Sequence, residues 1–339
     1  MALRVIVAGM GYRGRDWIGT VRADAAFDLV ACVEIDDAVR RQASSSLSIP
    51  PEKCFRELQD TLDKTKCDAV IVATSAEDHT ESCRTALARG IAVLVEKPFT
   101  LRLAEAVELV ELAAQKGAHL MVAQNYRYMR SHRTAKRVIG EGTLGKVSIV
   151  TSQYYRGPHR MAESLSRLHE SALWGVGVHH LDALRYVLDQ RVVGVAAQSF
   201  TAPRSKLSRG ASMQALLTFD SGTRGFYSAT YESSGHDYFE GGQEFYQRYV
   251  GDLATLHVFH RWLVLCGRGR LPRIVRRGAR KVTEESVLLR QLERALLHGE
   301  EPESSGRDNL QTMGIVEACV RAAAEQRWIN PQELLSERE

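Results

Sequence analysis

No run of apolar residues in this 339-residue chain approaches the roughly 20 needed to cross a bilayer, so a membrane-spanning role is set aside. The six cysteines stand singly, without the paired spacing of a zinc site or the density of a disulfide framework. Neither a metal nor an oxidising compartment is expected, and the N-terminus lacks a charged-then-apolar leader, so cytoplasm is the default location. Charge of one sign is missing too: 45 basic and 41 acidic residues are spread along the chain, which gives no footing for a nucleic-acid partner. One stretch departs from this balance, "GRGRLPRIVRRGARK" (Gly267 to Lys281), and reads as a solvated face or an anion-facing loop. Internal repeats, low-complexity tracts and a nucleophile elbow are all absent.

What is present is a 44% apolar fraction and a length beyond one ordinary core, which predict two domains, residues 1–125 and 126–339. In the first, strand-like runs ("LRVIVAG", "DLVACVE", "DAVIVAT", "IAVLVE", "HLMVAQ") alternate with helical stretches that end at glycine. That alternation predicts an α/β fold, an open parallel sheet wound by right-handed crossovers.

Directly after the first run comes "GMGYRG", with Gly9, Gly11 and Gly14 in dinucleotide-binding spacing between a strand and a helix. Gly9 suits the tight turn, Gly11 the approach of a pyrophosphate and Gly14 close helix packing. Glu34, at the end of the second run, stands where an acid binds the ribose 2′-hydroxyl, and Asp36 adds charge that would repel a 2′-phosphate. NAD is therefore expected, with NADP as the alternative because Arg13 and Arg15 lie nearby. "VEKP" ends a later strand. Lys97 there is expected to project over the cofactor crevice, its backbone restricted by Pro98, and to stabilise developing alkoxide charge.

Taken in order, "GMGYRG", "EKP" and "GVHHLD" resemble the Gfo/Idh/MocA family of nicotinamide-dependent oxidoreductases. The resemblance spans nearly the whole chain. "TSAEDHTESCRTALARGIAVLVEKP" is similar to the family's segment leading into its lysine motif, "GTLGKV" to the start of its second domain, "ALLTFDSGTRGFYSATY" to a strand pair turned at "DSG", and "GRDNLQTMGIVEACVRAAAEQ" to its closing helix. It implies an N-terminal Rossmann domain and a C-terminal α+β domain with a large, mainly antiparallel open sheet, the last helix packing back toward the Rossmann domain. A homodimer or homotetramer is implied as well. Tyr12, Arg13, Thr74, Ser75, His79, Glu96, Gln124 and Asn125 would join the glycines and Glu34 at the cofactor. Tyr126, Arg127, Arg156, Trp174, His179, His180 and His236 would face substrate, with His159 a further candidate.

By the same resemblance His179 is the catalytic acid/base, and His180 its packing or capping neighbour. A physical case stands beside it: a histidine in the first turn of a helix stays neutral near the positive dipole end. Asp182, one turn on, is placed to pair with Arg185. Gly175 departs from the family pattern, which carries aspartate there. The implied activity is hydride transfer between nicotinamide and a secondary alcohol or ketone of a polyhydroxylated compound such as a sugar or polyol. Two alternatives remain, a non-catalytic NAD-binding sensor or scaffold and a glycosidase that oxidises its substrate transiently.

Overall fold

The short apolar runs of the first third become parallel strands because each can be buried on both faces. The computed structural model describes residues 2–157, 168–203, 205, 207, 210–233, 243–278 and 282–336. Strands β1 (Leu3–Ala8), β2 (Phe27–Val33), β3 (Cys54–Phe55), β4 (Ala69–Val72), β5 (Ala92–Val95) and β6 (Leu120–Val122) pair in the order β3-β2-β1-β4-β5-β6, every pairing parallel. Every residue of β4 and β5 is buried, and each Val, Ile or Leu sequestered in this way contributes about 1.5–3 kcal/mol relative to exposure. The strand order reverses between β1 and β4, the switch point at which open sheets take ligands.

Two compact units emerge: Met1–Asn125 with Val282–Leu310, and Tyr126–Lys281 with Gln311–Glu339. Residues 282–310 therefore group with the first unit rather than with the rest of 126–339. The helix Glu284–His298 starts from a Thr283 cap and buries Leu288, Leu289, Leu292 and Ala295. Arg290 on this helix pairs with Asp24 at 3.0 Å. The long helix Gly306–Glu325 begins in the first unit and passes into the second after Leu310.

The second unit is built on an eight-stranded sheet. Its strands are β7 (Val147–Arg156), β8 (Val192–Phe200), β9 (Ser212–Phe219), β10 (Arg224–Thr230), β11 (Gln243–Gly251), β12 (Ala254–Phe259), β13 (Leu263–Gly267) and β14 (Arg273–Ile274), in the order β14-β13-β12-β11-β7-β10-β9-β8. Only the β7–β10 pairing is parallel. The "DSG" hairpin joins β9 to β10, with Gly222 at φ +92, a conformation that glycine adopts without steric cost.

Strand alternation puts Ser152 and Tyr154 of β7, Tyr227 and Ala229 of β10, and Phe245, Gln247 and Tyr249 of β11 on one buried face. Against it lies the helix Val178–Leu188, the His180 ring 5.0 Å from that of Tyr154. The basic stretch after β13 runs through the two-residue edge strand β14 with most of its described residues exposed, as a solvated face requires.

Candidate active site

In the first unit, the turn after β1 is shaped by what glycine lacks. A Cβ on Gly9, which sits at φ +96, would lie 2.3 Å from the Ala73 carbonyl oxygen, and one on Gly14 would lie 1.9 Å from the Gly9 oxygen. Both positions exclude any side chain. A Cβ on Gly11 would meet no atom within 4 Å, so the chain leaves open space there. The helix Tyr12–Arg22 starts at Gly11 with no side-chain cap, which leaves its first amides and its positive dipole end for an anion. Tyr12 is exposed beside them.

The Glu34 carboxylate accepts from the Met10 amide at 2.9 Å and the Asp36 amide at 3.1 Å, tying the end of β2 to the glycine turn. Asp36 caps the next helix through the amides of Ala38 and Val39, and these bonds hold its carboxyl below the usual range. Arg15 reaches the Met10 carbonyl and Gln42, each at 3.3 Å. Arg13, expected at the cofactor, is occupied by acids: it lies 2.7 Å from Glu96, 3.0 Å from Asp16 and 3.0 Å from Glu285. A guanidinium held by three carboxylates is a poor receptor for a 2′-phosphate.

Glu96, also expected at the cofactor, is taken up by bonds within the chain. It is buried, and besides Arg13 it accepts from the Trp17 indole at 2.8 Å and the Lys97 amide at 3.2 Å. On the other side of the turn, the buried His79 meets the Pro98 carbonyl at 2.7 Å through Nδ1, the nitrogen that must then carry the proton. Burial lowers the pKa of His79, which keeps the ring neutral. The Lys97–Pro98 peptide is cis. Lys97 is thus presented from a turn pinned by Glu96 in front and His79 behind. Burial lowers its ammonium's pKa and Arg13 adds to this, against the attraction of Glu96. Thr74 and Ser75 lie at the carboxyl end of β4, with the Ser75 hydroxyl bonded to Asp78.

Just beyond β6, both polar atoms of the fully buried Gln124 side chain and Oδ1 of Asn125 have no hydrogen-bond partner among the described residues. Buried amides with nothing to bond are costly, so a ligand amide or ordered water belongs beside them. NAD fits this unit: an open glycine cradle, uncapped helix amides, an acid at the end of β2 and orphaned amides at the end of β6.

In the second unit, the helical path runs unbroken from Ser171 to Leu188 and widens into a π turn over Leu173–Gly177. His179 therefore sits well inside a helix and not in its first turn, and the expected dipole effect does not apply. Such π turns are a frequent mark of functional sites. The His179 ring is 5% exposed and stacks on Tyr126, centroids 4.1 Å apart and planes 8° from parallel. His180 is fully buried between Tyr126, Tyr154, Tyr227 and Phe245, and burial beside His132 pushes its pKa down to about 3. It packs and does not face substrate.

Arg127 and Asp182 find each other across 55 residues of chain. Both carboxylate oxygens accept from the guanidinium at 2.6 Å, Thr312 adds a bond of 2.7 Å, and Arg185 stands 3.9 Å away. Burial alone would raise the Asp182 pKa, but Arg127 holds it below the usual range. Arg127 is 2% exposed, so the expected substrate contact is instead a structural ion pair. Trp174 is buried in the π turn with Gly175, a core residue with little ring to offer a sugar. Arg156 ends β7, half-buried. His159 and His236 lie outside the described residues.

Sequence reasoning missed Tyr154, Tyr227 and His132, which join this aromatic cluster from separate strands and a helix. Only the alternation along "SQYYR" and "FYSATY" signals it. Among the described residues no cluster of metal-ligating side chains occurs, and no helix is long and apolar enough to cross a membrane.

Residues 3–124 match the model of an oxidoreductase family with a NAD-binding Rossmann fold, and residues 132–255 match the C-terminal domain of the same family. The chain belongs to the Gfo/Idh/MocA oxidoreductase family. Its fold class and its NAD cofactor follow from that membership. D-apiose dehydrogenase from Paraburkholderia graminis is 26% identical, covering 97% of this chain and 90% of that one. Inositol 2-dehydrogenase 2 from Saccharopolyspora erythraea is 30% identical over 62% of this chain and 60% of its own. An oxidoreductase from Agrobacterium radiobacter, solved with NAD+, L-tartaric acid and magnesium, shares the fold at a TM-score of 0.88 and 20% identity, covering 98% of this chain and all of that one.

Proposed function

We propose that this Gfo/Idh/MocA member is a dehydrogenase acting on a secondary alcohol of a sugar or sugar derivative, with Lys97 and His179 as its polar catalysts. The pinned Lys97 turn carries this reading: a buried carboxylate and a buried neutral histidine fix one lysine at the carboxyl edge of the sheet, a degree of preorganisation an incidental surface lysine does not have. Relatives named for apiose and inositol support the substrate class. NAD supplies the hydride acceptor when bound. The turn at Gly9 and Gly11 and the amides of the first helix, which Gly14 lets pack close, would hold its phosphates, Glu34 its ribose, and Gln124 and Asn125 its carboxamide.

Lys97 donates to the substrate oxygen and stabilises the negative charge that builds there as hydride departs. His179 accepts the hydroxyl proton, its ring oriented by the Tyr126 stack. Dimers or tetramers, with NADP as a weaker alternative cofactor, complete the proposal.

The sensor reading retains one specific motivation, the glycine at position 175. The helix that follows, Val178–Leu188, carries Asp182 as its only acid, and Arg127 already neutralises it. A spectrophotometric screen of pentoses, hexoses, cyclitols and their derivatives with NAD tests the proposal. Reduction of NAD with any of them supports a dehydrogenase; binding of NAD with no reduction across the panel supports the sensor, and release of a cleaved sugar without net reduction supports the glycosidase.

A further inference from the structure

Arg156, expected to face substrate, takes no part in the chemistry described so far. It follows Ser152 and Tyr154 on the buried face of β7, at the end of the strand. Tyr154 of that face touches the His180 ring at 5.0 Å and the Tyr231 ring at 6.3 Å, and Tyr126 stacks on His179. Tyr126, Tyr154 and Tyr231 gather around this strand end, and the Arg156 charge acts on all three, opposing the rise that burial imposes on their phenols.

No carboxylate pairs with the Arg156 guanidinium among the described residues, whereas Arg4, Arg13, Arg40, Arg84, Arg127 and Arg191 each have one. Its Nε is buried and without a hydrogen-bond partner. A half-buried cation with no counter-ion among the described residues, and with a desolvated Nε, is costly unless a ligand completes it. The neighbouring helix adds no competing acid, because Gly175 has no side chain and Asp182 is engaged by Arg127.

We propose that Arg156 is a specificity-determining residue that receives the carboxylate of a sugar acid, with the Tyr126, Tyr154 and Tyr231 phenols around the rest of the ligand. A planar guanidinium matches a two-oxygen carboxylate through paired hydrogen bonds, whereas a phosphate dianion ordinarily recruits further cations or a helix end. Gly175 then has a rationale: an aspartate there would repel an acidic substrate. The inference rests on the proposed dehydrogenase reading for its sugar-like substrate class, but not for the anion.

The test measures binding of D-gluconate, D-glucuronate and D-galacturonate, against sorbitol, D-glucose, D-galactose and glucose 6-phosphate, by calorimetry on NAD-saturated protein. Turnover of each is followed in parallel. At least one acid should bind more tightly than its neutral counterpart and than the phosphate. Arg156→Met should weaken the acid about 10- to 100-fold while leaving NAD affinity and neutral-sugar binding unchanged, and Arg156→Lys should recover part of the loss. Arg156-dependent acid binding without turnover would sustain this inference while defeating the dehydrogenase reading. Absence of acid binding, preference for the neutral sugar or the phosphate, or an equal loss for both classes in Arg156→Met would overturn it.

Discussion

Replacing Asp182 with alanine should expose how much of the second unit depends on its buried ion pair. The carboxylate has no exposed surface, and it accepts two bonds of 2.6 Å from Arg127 and one of 2.7 Å from Thr312. Its removal leaves a guanidinium of 2% exposure without a counter-ion, a loss of about 3–5 kcal/mol. In a unit of this size each kcal/mol moves the melting temperature by roughly 2–4 °C, so Asp182→Ala should unfold about 6–20 °C below the native chain. Much of that penalty belongs to the stranded charge. The double variant Arg127→Met/Asp182→Leu should therefore regain most of the loss, because an apolar pair of similar volume carries no desolvation cost.

The pH dependence has a defined sign. Asp182 titrates below its unfolded value of about 3.9, so its stabilisation is complete above that pH and disappears as pH falls through the lower, folded value. Circular-dichroism melts of the three proteins at pH 7 and pH 3 measure all of this. A single variant within a degree or two of the native chain, or a double variant no more stable than Asp182→Ala, would refute the burial reasoning.

The glycine turn gives a paired prediction: Gly14→Ala should destabilise the fold, since its Cβ would lie 1.9 Å from a carbonyl oxygen, whereas Gly11→Ala should melt like the native protein yet bind NAD about tenfold or more weakly by calorimetry. Glu96→Gln should leave NAD affinity nearly intact but lower kcat, because the Trp17, Arg13 and Lys97 contacts that fix the lysine turn weaken; an unchanged kcat would mean that the turn holds itself. Glu34→Ala should reduce affinity for NAD more than for NADP, read by titration with each dinucleotide, and an unaltered ratio would place ribose recognition elsewhere.

The parallel strands were legible because β1, β4 and β5 are short continuous apolar runs, and the glycine turn because its spacing answers to backbone clashes within a few residues. The "DSG" hairpin is equally local. What escaped is set by distance along the chain. Nothing near Arg127 announces that Asp182 will neutralise it, and Arg13 meets Glu285 across 272 residues. Both arginines look like ligand contacts in the sequence, whereas in the fold each is held by a distant carboxylate. The π turn escaped for another reason: "LWGVG" looks like a loop ahead of a helix, but burial of every residue from Ser171 to Asp182 lets the helical path continue through two glycines. The Tyr126–His179 stack likewise depends on tertiary packing, because the two residues stand 53 positions apart in the sequence.

The most direct test of the proposed chemistry is Lys97→Met, assayed for NAD affinity by calorimetry and for turnover of whichever carbohydrate the screen identifies. Loss of a single preorganised donor to the developing oxyanion should lower kcat by about 100- to 1000-fold, with NAD affinity within about twofold of the native value. A variant that binds NAD normally and turns over at the native rate would contradict Lys97 as a catalyst, and with it the function proposed for this site.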